Sequence, residues 1–128
     1  MIATITKDFA FSASHRLDGL PEGHQCARYH GHNYLVRVEI EGTVDKVGFV
    51  VDYGALKPFG EYIDQYLDHR HLNDQLSVNP TAEHLAKTLT WQLRLVLKEA
   101  LDGYWHPLEI GVWVSETPKT WAIYREKW

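Results

Sequence analysis

Two segments of the chain alternate between apolar and polar residues with the period of a β-strand. In residues 2–15 the odd positions share one face, which is largely apolar and includes Ala3, Ile5, Phe9, Phe11, Ala13 and His15. In residues 30–41 the even positions share the corresponding face, with His30, His32, Tyr34, Val36, Val38 and Ile40. The pattern predicts two strands of a half-buried antiparallel sheet, and it places each histidine on the apolar face of its strand.

The middle of the chain holds two predicted helices. Asp52 is a suitable cap for the first, which continues to about Leu67, and Pro58 is early enough in it to be tolerated. The second occupies residues 79–101, where apolar side chains recur every three or four positions. Its predicted buried stripe consists of Leu85, Leu89, Leu93, Val96, Leu97 and Ala100.

The ends of the second helix and the elements after it also have sequence signals. Asn79 and Pro80 are the predicted entry, and Asp102-Gly103 closes the helix. Alternation returns in residues 108–116, and a last strand is predicted near 120–126. The order ββααββ predicts an α+β fold, in which two helices cover one face of a four-stranded antiparallel sheet.

Composition narrows the class of protein. The chain is expected to be one domain over residues 1–128, with 45% hydrophobic and 23% charged residues. A net charge of −4 provides no basic field, so neither nucleic acid nor a membrane is an expected partner. The single cysteine excludes an internal disulfide, and no signal peptide or long apolar run is recognisable. We therefore expect a cytoplasmic protein.

Three histidines are predicted to meet at one end of the sheet. His30 and His32 are separated by one residue, so they point to the same side of a strand. His15 ends the first strand near the point where the second begins, and antiparallel pairing would make these ends neighbours. Three imidazoles with an open fourth position are the arrangement of a catalytic zinc.

The single cysteine allows a second interpretation of this site. Cys26 lies four residues before His30, so a structural zinc site closed by three histidines and the thiol is a competitor. Cys26 can also be a small buried hydrophobic residue, as most free cysteines are. A third alternative is an iron site completed by a carboxylate, but Glu39 and Glu41 are predicted on the opposite strand face. The residues alone leave the open and the closed site undecided.

Two further positions carry carboxylates near the predicted site. Asp68 next to His69 is a potential carboxylate–imidazole pair, although a solvated helix end explains the same residues. Glu116 terminates an otherwise apolar strand face. Its carboxylate is either at a solvent-exposed edge of the sheet or placed to accept hydrogen bonds from a ligand. Neither position identifies a function by itself.

Six segments together resemble the 6-pyruvoyl-tetrahydropterin synthase superfamily. They are FSASHRL, PEGHQCARYHGHNY, VVDYGALK, LDHRHLND, NPTAEHLA and ETP, and the resemblance covers about residues 6–124. Three residues between Cys26 and His30 are typical of its bacterial branch. The resemblance implies the tunnelling fold, in which the sheets of three subunits join into a barrel. Two trimers would stack into a homohexamer with active sites at subunit interfaces.

The resemblance also implies a role for each candidate residue. The zinc ligands would be His15, His30 and His32. Cys26 would be the catalytic thiol that moves a substrate proton, with Asp68 and His69 as its acid–base partners. Glu116 would bind the guanidine-like edge of a pterin through two parallel N–H bonds.

The activity implied by the resemblance is that of a zinc-dependent carbon–carbon lyase of 7-deazapurine (queuosine) biosynthesis. Its substrate would be 7,8-dihydroneopterin triphosphate, and its products 6-carboxy-5,6,7,8-tetrahydropterin, acetaldehyde and triphosphate. One alternative is 6-pyruvoyl-tetrahydropterin formation, which uses the same residues without carbon–carbon cleavage. Another is a non-catalytic, metal-dependent pterin-binding hexamer. Arg16, Arg28 and Arg70 are candidates for contacting the triphosphate by position only.

Overall fold

The computed structural model describes residues 1–101, 103 and 105–128. It contains one antiparallel sheet in the order β1 (Ile2–His15), β2 (His30–Thr43), β3 (Glu109–Ser115) and β4 (Ala122–Lys127). Between β2 and β3 the chain forms α1 (Lys57–Tyr66), the single helical turn α2 (Leu72–Gln75) and α3 (Ala82–Ala100). The predicted α+β fold with a four-stranded antiparallel sheet is confirmed.

The alternation in β1 and β2 matches the buried side of this sheet. Phe11, Ala13 and His15 of β1 are buried, and so are the even positions 34–40 of β2. β2 extends past its predicted end at residue 41, because Gly42 still pairs with β1. The two strands pair along their whole length, which brings the end of β1 beside the start of β2.

Helices α1 and α3 cover the apolar face of the sheet. α3 packs across β3 and β4, and α1 contacts β1 and α3. Phe9 of β1 meets Phe59 of α1 edge to face, with 5.1 Å between ring centroids. Leucines 85, 89, 93 and 97 of α3 are fully buried, and each contributes about 2 kcal/mol through the removal of apolar surface from water. The histidines therefore extend from strands whose buried face belongs to a packed core.

The first helix begins later than predicted. Asp52 caps a single 3₁₀ turn, Tyr53–Leu56, by accepting the N–H of Gly54 at 2.8 Å. The α-helix starts only at Lys57 and ends at Tyr66, with Leu67 as its C-cap. The turn α2, which follows within the segment LDHRHLND, was not predicted.

The second predicted helix differs at both ends. Thr81 caps α3, since its hydroxyl accepts the N–H of His84 at 3.1 Å, whereas Asn79 and Pro80 precede the helix. Ala100 is exposed because the last turn extends beyond the core, so its predicted burial was wrong. Asp102, the predicted closing residue, lies outside the described residues. No helix in the described part of the chain is long and apolar enough to cross a membrane.

Candidate active site

The three predicted histidines meet at one end of the β1–β2 pair. His15 and His30 are partners in the strand register, and His32 pairs with Ala13 one step along the same face. One ring nitrogen from each of the three lies within 4.8 Å of the others. The Nε2 atoms of His15 and His30 are 3.0 Å apart. The three residues are therefore able to hold a metal ion.

Backbone carbonyls fix the orientation of two of these rings. Nδ1 of His15 lies 2.8 Å from the carbonyl oxygen of Pro80, and Nδ1 of His30 lies 2.8 Å from that of Arg28. Because a carbonyl oxygen only accepts, each Nδ1 carries the proton and each Nε2 presents a lone pair. Two lone pairs that face each other at 3.0 Å are favourable only with a cation between them.

The third ring, that of His32, lacks the hydrogen-bond partner that a buried nitrogen usually has. Nε2 of His32 is buried and has no hydrogen-bond partner among the described residues. A buried polar nitrogen without a partner costs about 1–3 kcal/mol, and a bound metal would remove that cost. Burial also lowers the pKa of His15 and of His32, which favours the neutral imidazoles that metal binding requires. The donor set fits a metal ion.

Glu116 lies beside the histidine cluster, directly after β3. Its Oε2 is 3.8 Å from Nε2 of His32, which is longer than a hydrogen bond, and its side chain is about one quarter exposed. The carboxylate is therefore partly desolvated next to the cluster. Such a group attracts paired N–H donors from a ligand more strongly than a fully solvated one does.

Cys26 borders the same cluster from the long connection between β1 and β2. It lies in a one-turn 3₁₀ helix, Gln25–Ala27, and is half-buried. Together with Gln25, His30 and His32 it lines a cavity of about 290 Å³. The group of potential metal ligands contains three histidines and does not include the thiol. This arrangement favours the open site over the closed one.

The carboxylate required by the iron alternative is engaged elsewhere. Glu39 accepts the indole N–H of Trp113 at 2.8 Å and pairs with the guanidinium of Arg125 at 2.9 Å. These contacts hold the pKa of Glu39 below its usual range. They lie on the sheet face opposite the histidines, as the alternation predicted for Glu39, so this glutamate is not a ligand of the cluster.

Asp68 and His69 form the predicted carboxylate–imidazole pair. Oδ2 of Asp68 lies 2.9 Å from Nδ1 of His69, and Oδ1 accepts the backbone N–H of Ser12 at 2.9 Å. Two hydrogen bonds hold the pKa of Asp68 below its usual range. The one from the Ser12 N–H has the larger effect, and the one from the His69 ring has the smaller. The segment follows the outer edge of β1, where the N–H of His69 donates to the carbonyl of Ser12 at 2.7 Å. His69 adopts a left-handed backbone with φ 57°, an uncommon conformation that these contacts maintain.

Within one chain, His69 and Cys26 line different cavities. The His69 ring is 83% exposed and borders an open cavity of about 490 Å³ with Ser12, Asn33 and Arg70. Ser12 and Asn33 belong to the polar face of the sheet, whereas Cys26 lies with the histidines. His32 borders both cavities. Within one protomer the thiol and the imidazole therefore line two cavities that have His32 in common.

Sequence reasoning missed the groups that orient the histidines. The carbonyls of Arg28 and Pro80 have no residue-type signal, because every residue has a carbonyl. Tyr34 lies on the predicted apolar face of its strand, and its hydroxyl is 3.2 Å from Nδ1 of His15. Burial raises the pKa of Tyr34. A hydroxyl on the apolar face, two residues after His32, was the available signal.

Comparisons with known proteins agree on one family. The family model for 6-pyruvoyl tetrahydropterin synthase matches residues 4–127. The 6-carboxy-5,6,7,8-tetrahydropterin synthase of Bacillus subtilis is 33% identical, over 96% of this chain and 85% of its own length. The 6-pyruvoyl tetrahydrobiopterin synthase of Drosophila melanogaster is 31% identical, over 97% of this chain and 80% of its own. The structure of Caenorhabditis elegans 6-pyruvoyl tetrahydropterin synthase superposes with a TM-score of 0.76 and 28% identity, covering 100% of this chain and 96% of that chain.

Proposed function

The chain belongs to the 6-pyruvoyl tetrahydropterin synthase family of pterin-metabolising enzymes, and on that premise we propose a zinc-dependent carbon–carbon lyase. It converts 7,8-dihydroneopterin triphosphate to 6-carboxy-5,6,7,8-tetrahydropterin, with release of acetaldehyde and triphosphate, in 7-deazapurine (queuosine) biosynthesis. The balance of oxygen atoms requires one water as co-substrate. The observation that carries the proposal is the three-histidine cluster with a cysteine in its cavity.

His15, His30 and His32 would hold the zinc ion through their Nε2 atoms. When bound, zinc supplies Lewis acidity to the side-chain hydroxyls of the substrate. The support for this ligand set is the unpartnered, buried Nε2 of His32 and the carbonyl contacts at the Nδ1 atoms of the other two rings. With three protein ligands, such a zinc ion would be able to accept a substrate oxygen.

Cys26 is the group that takes a proton from the substrate side chain. Its cavity is shared with His30 and His32, so a substrate bound at the cluster lies next to the sulfur. A thiolate is the reactive form of cysteine, and a nearby cation favours it. Glu116, at the rim of the cluster, accepts two N–H bonds from the pterin and sets its orientation.

Asp68 and His69 act on the other side of the substrate as an acid–base pair. Asp68 fixes the Nδ1–H of His69 and leaves Nε2 of this exposed ring to exchange protons with a ligand. Because the pair lies outside the cavity of Cys26 in its own chain, it serves a site completed by a neighbouring subunit. A homohexamer, built as a dimer of trimers whose sheets join into barrels, provides such neighbours.

The second candidate is 6-pyruvoyl-tetrahydropterin formation from the same substrate, without carbon–carbon cleavage. It is favoured by the similarity to the Drosophila and Caenorhabditis enzymes of that name. The bacterial relative and the short Cys26–His30 spacing favour carboxy formation. A non-catalytic pterin-binding hexamer is the third outcome.

Incubation of the zinc-loaded protein with 7,8-dihydroneopterin triphosphate separates the three. We expect equal amounts of acetaldehyde and the 6-carboxy product, measured by mass spectrometry and an aldehyde trap. A 6-pyruvoyl product without acetaldehyde would replace the proposal with the second candidate. Substrate that binds without being consumed would support the third candidate, the non-catalytic pterin-binding hexamer.

A further inference from the structure

The connection that carries Cys26 contains two consecutive turns. Pro21 to His24 form a β-turn, closed by the His24 N–H donating to the carbonyl of Pro21 at 3.1 Å. Gly23 has φ 83°, the backbone that a type II turn requires at its third position. The 3₁₀ turn Gln25–Ala27 follows at once, so His24 lies where the two turns join.

The side chain of His24 caps the second turn. Its Nδ1 accepts the backbone N–H of Cys26 at 3.1 Å. An N–H in the first turn of a helix has no partner within that helix and depends on such a cap. Because Nδ1 accepts, the proton of the neutral His24 ring is on Nε2. The His24 ring therefore holds the amide of the residue that carries the thiol.

The carbonyl of Cys26 is fixed from the other side. It accepts the N–H of Leu17 at 2.9 Å, two residues after the end of β1. Both backbone groups of Cys26 thus have partners, one from a ring and one from an extended segment. The segment around Leu17 has to be rigid for this second contact to position anything.

Two asparagine side chains supply that rigidity. Asn73 accepts the N–H of Arg16 and donates to its carbonyl, both at 2.9 Å. Asn79 does the same for Asp18, at 2.9 and 3.0 Å. Each amide replaces a strand partner, so the residues on both sides of Leu17 are held in extended form. The Cys26 carbonyl is therefore fixed by a rigid segment. The Cys26 N–H, in contrast, depends on one exposed side chain, that of His24.

We propose that His24 is a positioning residue, which holds Cys26 so that its sulfur stays in the cavity of His30 and His32. The proposal rests on the proton-transfer role proposed above for Cys26. His24 is itself exposed and adds nothing to the core, so its contact with the Cys26 amide is its structural contribution. A displacement of about 1 Å at a reacting group lowers turnover by up to about 10²-fold.

The test compares the zinc-loaded full chain with three variants. His24→Ala removes the cap, His24→Asn replaces it with an amide oxygen of the kind that caps helices well, and His106→Ala is the matched control. His106 is an exposed histidine near the far end of β2, where Trp105 donates to Thr43. Hydrogen exchange of the Cys26 amide, kcat and KM for 7,8-dihydroneopterin triphosphate, zinc content and Tm are measured for each.

We expect His24→Ala to accelerate exchange of the Cys26 amide by about tenfold or more, as the loss of a local hydrogen bond does. Its kcat should fall by about tenfold, with KM within about twofold, because positioning of the thiol and not substrate binding is lost. Zinc content and Tm should stay at the wild-type values. His24→Asn should restore both exchange protection and kcat, and His106→Ala should match wild type throughout.

Two results would overturn the inference. One is a Cys26 amide that exchanges equally fast in wild type and His24→Ala. The other is accelerated exchange with unchanged kcat, which would make His24 a turn residue without influence on the reaction. If wild type itself does not turn over the substrate, the proposed function fails and the positioning role in the reaction fails with it, while the exchange result still reports on the cap.

Discussion

His15 and His30 face each other across the β1–β2 ladder, with their Nε2 atoms 3.0 Å apart and each Nδ1 held by a backbone carbonyl. The strand pairing therefore brings two nitrogens that we propose as zinc ligands together before any metal binds. His32, on the same strand face as His30, adds a third nitrogen that is buried without a partner. The sheet forms the site without metal, so we expect a bound metal ion to add little to the stability of the fold.

Removing the third ligand tests this arrangement. His32→Ala should reduce bound zinc from about one ion per chain to a small fraction, because a catalytic zinc is held by three protein ligands and this variant keeps two of the proposed ones. The circular dichroism spectrum should remain that of the wild type, since the core is formed by α1, α3 and the sheet. His106→Ala, at the other end of the sheet, is the control. Undiminished zinc in His32→Ala by elemental analysis would remove this residue from the ligand set.

Burial of the histidines predicts a pH dependence for the metal-free protein. Burial lowers the pKa of His15 and of His32 below the value of 6.5 that applies to the unfolded chain. As the pH falls through about 6.5, the unfolded chain therefore binds more protons than the folded chain, and the folded state loses stability. Above this pH the contribution of the two histidines to stability is fully present. Urea unfolding at about pH 7.5, 6.5 and 5.5 should give a falling free energy of unfolding. His32→Asn, which cannot titrate, should have a shallower dependence, and an equal slope would contradict this origin.

Much of this site could be predicted because it depends on strand periodicity. Alternation alone placed His15, His30 and His32 on one face, and antiparallel pairing brought them together. The orienting carbonyl of Pro80 could not be predicted, because it depends on where the chain enters α3, which the sequence placed two residues too early.

The position of His69 was also beyond sequence reasoning. Its adjacency to Asp68 was evident, but its left-handed backbone and its place on the outer edge of β1 arise from long-range contacts with Ser12. Periodicity carries no information about such contacts, because they join residues of two different elements. For the same reason the sequence did not separate His69 from Cys26 within one chain.

Assembly is the next prediction. The sheet leaves the edge of β4 and the part of the β1 edge before Ser12 available for pairing, and barrel closure in a trimer removes these edges. Sedimentation at micromolar concentration should give a hexamer of the 14.8 kDa chain. A stable monomer that nevertheless turns over substrate would contradict the subunit-shared site.

Sharing of the site between subunits is tested by complementation. Cys26→Ala and His69→Ala should each lower turnover by about 10² or more when assembled alone. Co-expressed, they should form mixed hexamers in which some sites combine an intact thiol from one subunit with an intact imidazole from another. Recovery of activity well above either parent is expected. No recovery in mixed hexamers verified by mass spectrometry would place both groups of a site in one chain.

The acid–base pair provides a narrower prediction. Asp68→Asn keeps the acceptor for the N–H of Ser12 but loses the charged acceptor that orients the His69 ring through its Nδ1. Turnover should fall by about 10²-fold, with zinc content unchanged, because the pair is not part of the ligand set. A loss of zinc equal to the loss of activity would indicate instead that the segment 68–71 supports the metal site.

The most direct test of the account is the Cys26→Ala enzyme, with zinc content and turnover measured on the same preparation. An open three-histidine site with a separate thiol predicts about one zinc per chain, wild-type pterin binding through Glu116, and turnover lower by about 10² or more. Zinc lost together with activity would make Cys26 a ligand of a closed site. Full zinc with normal turnover would contradict the role of the thiol and, with it, the mechanism proposed for this chain.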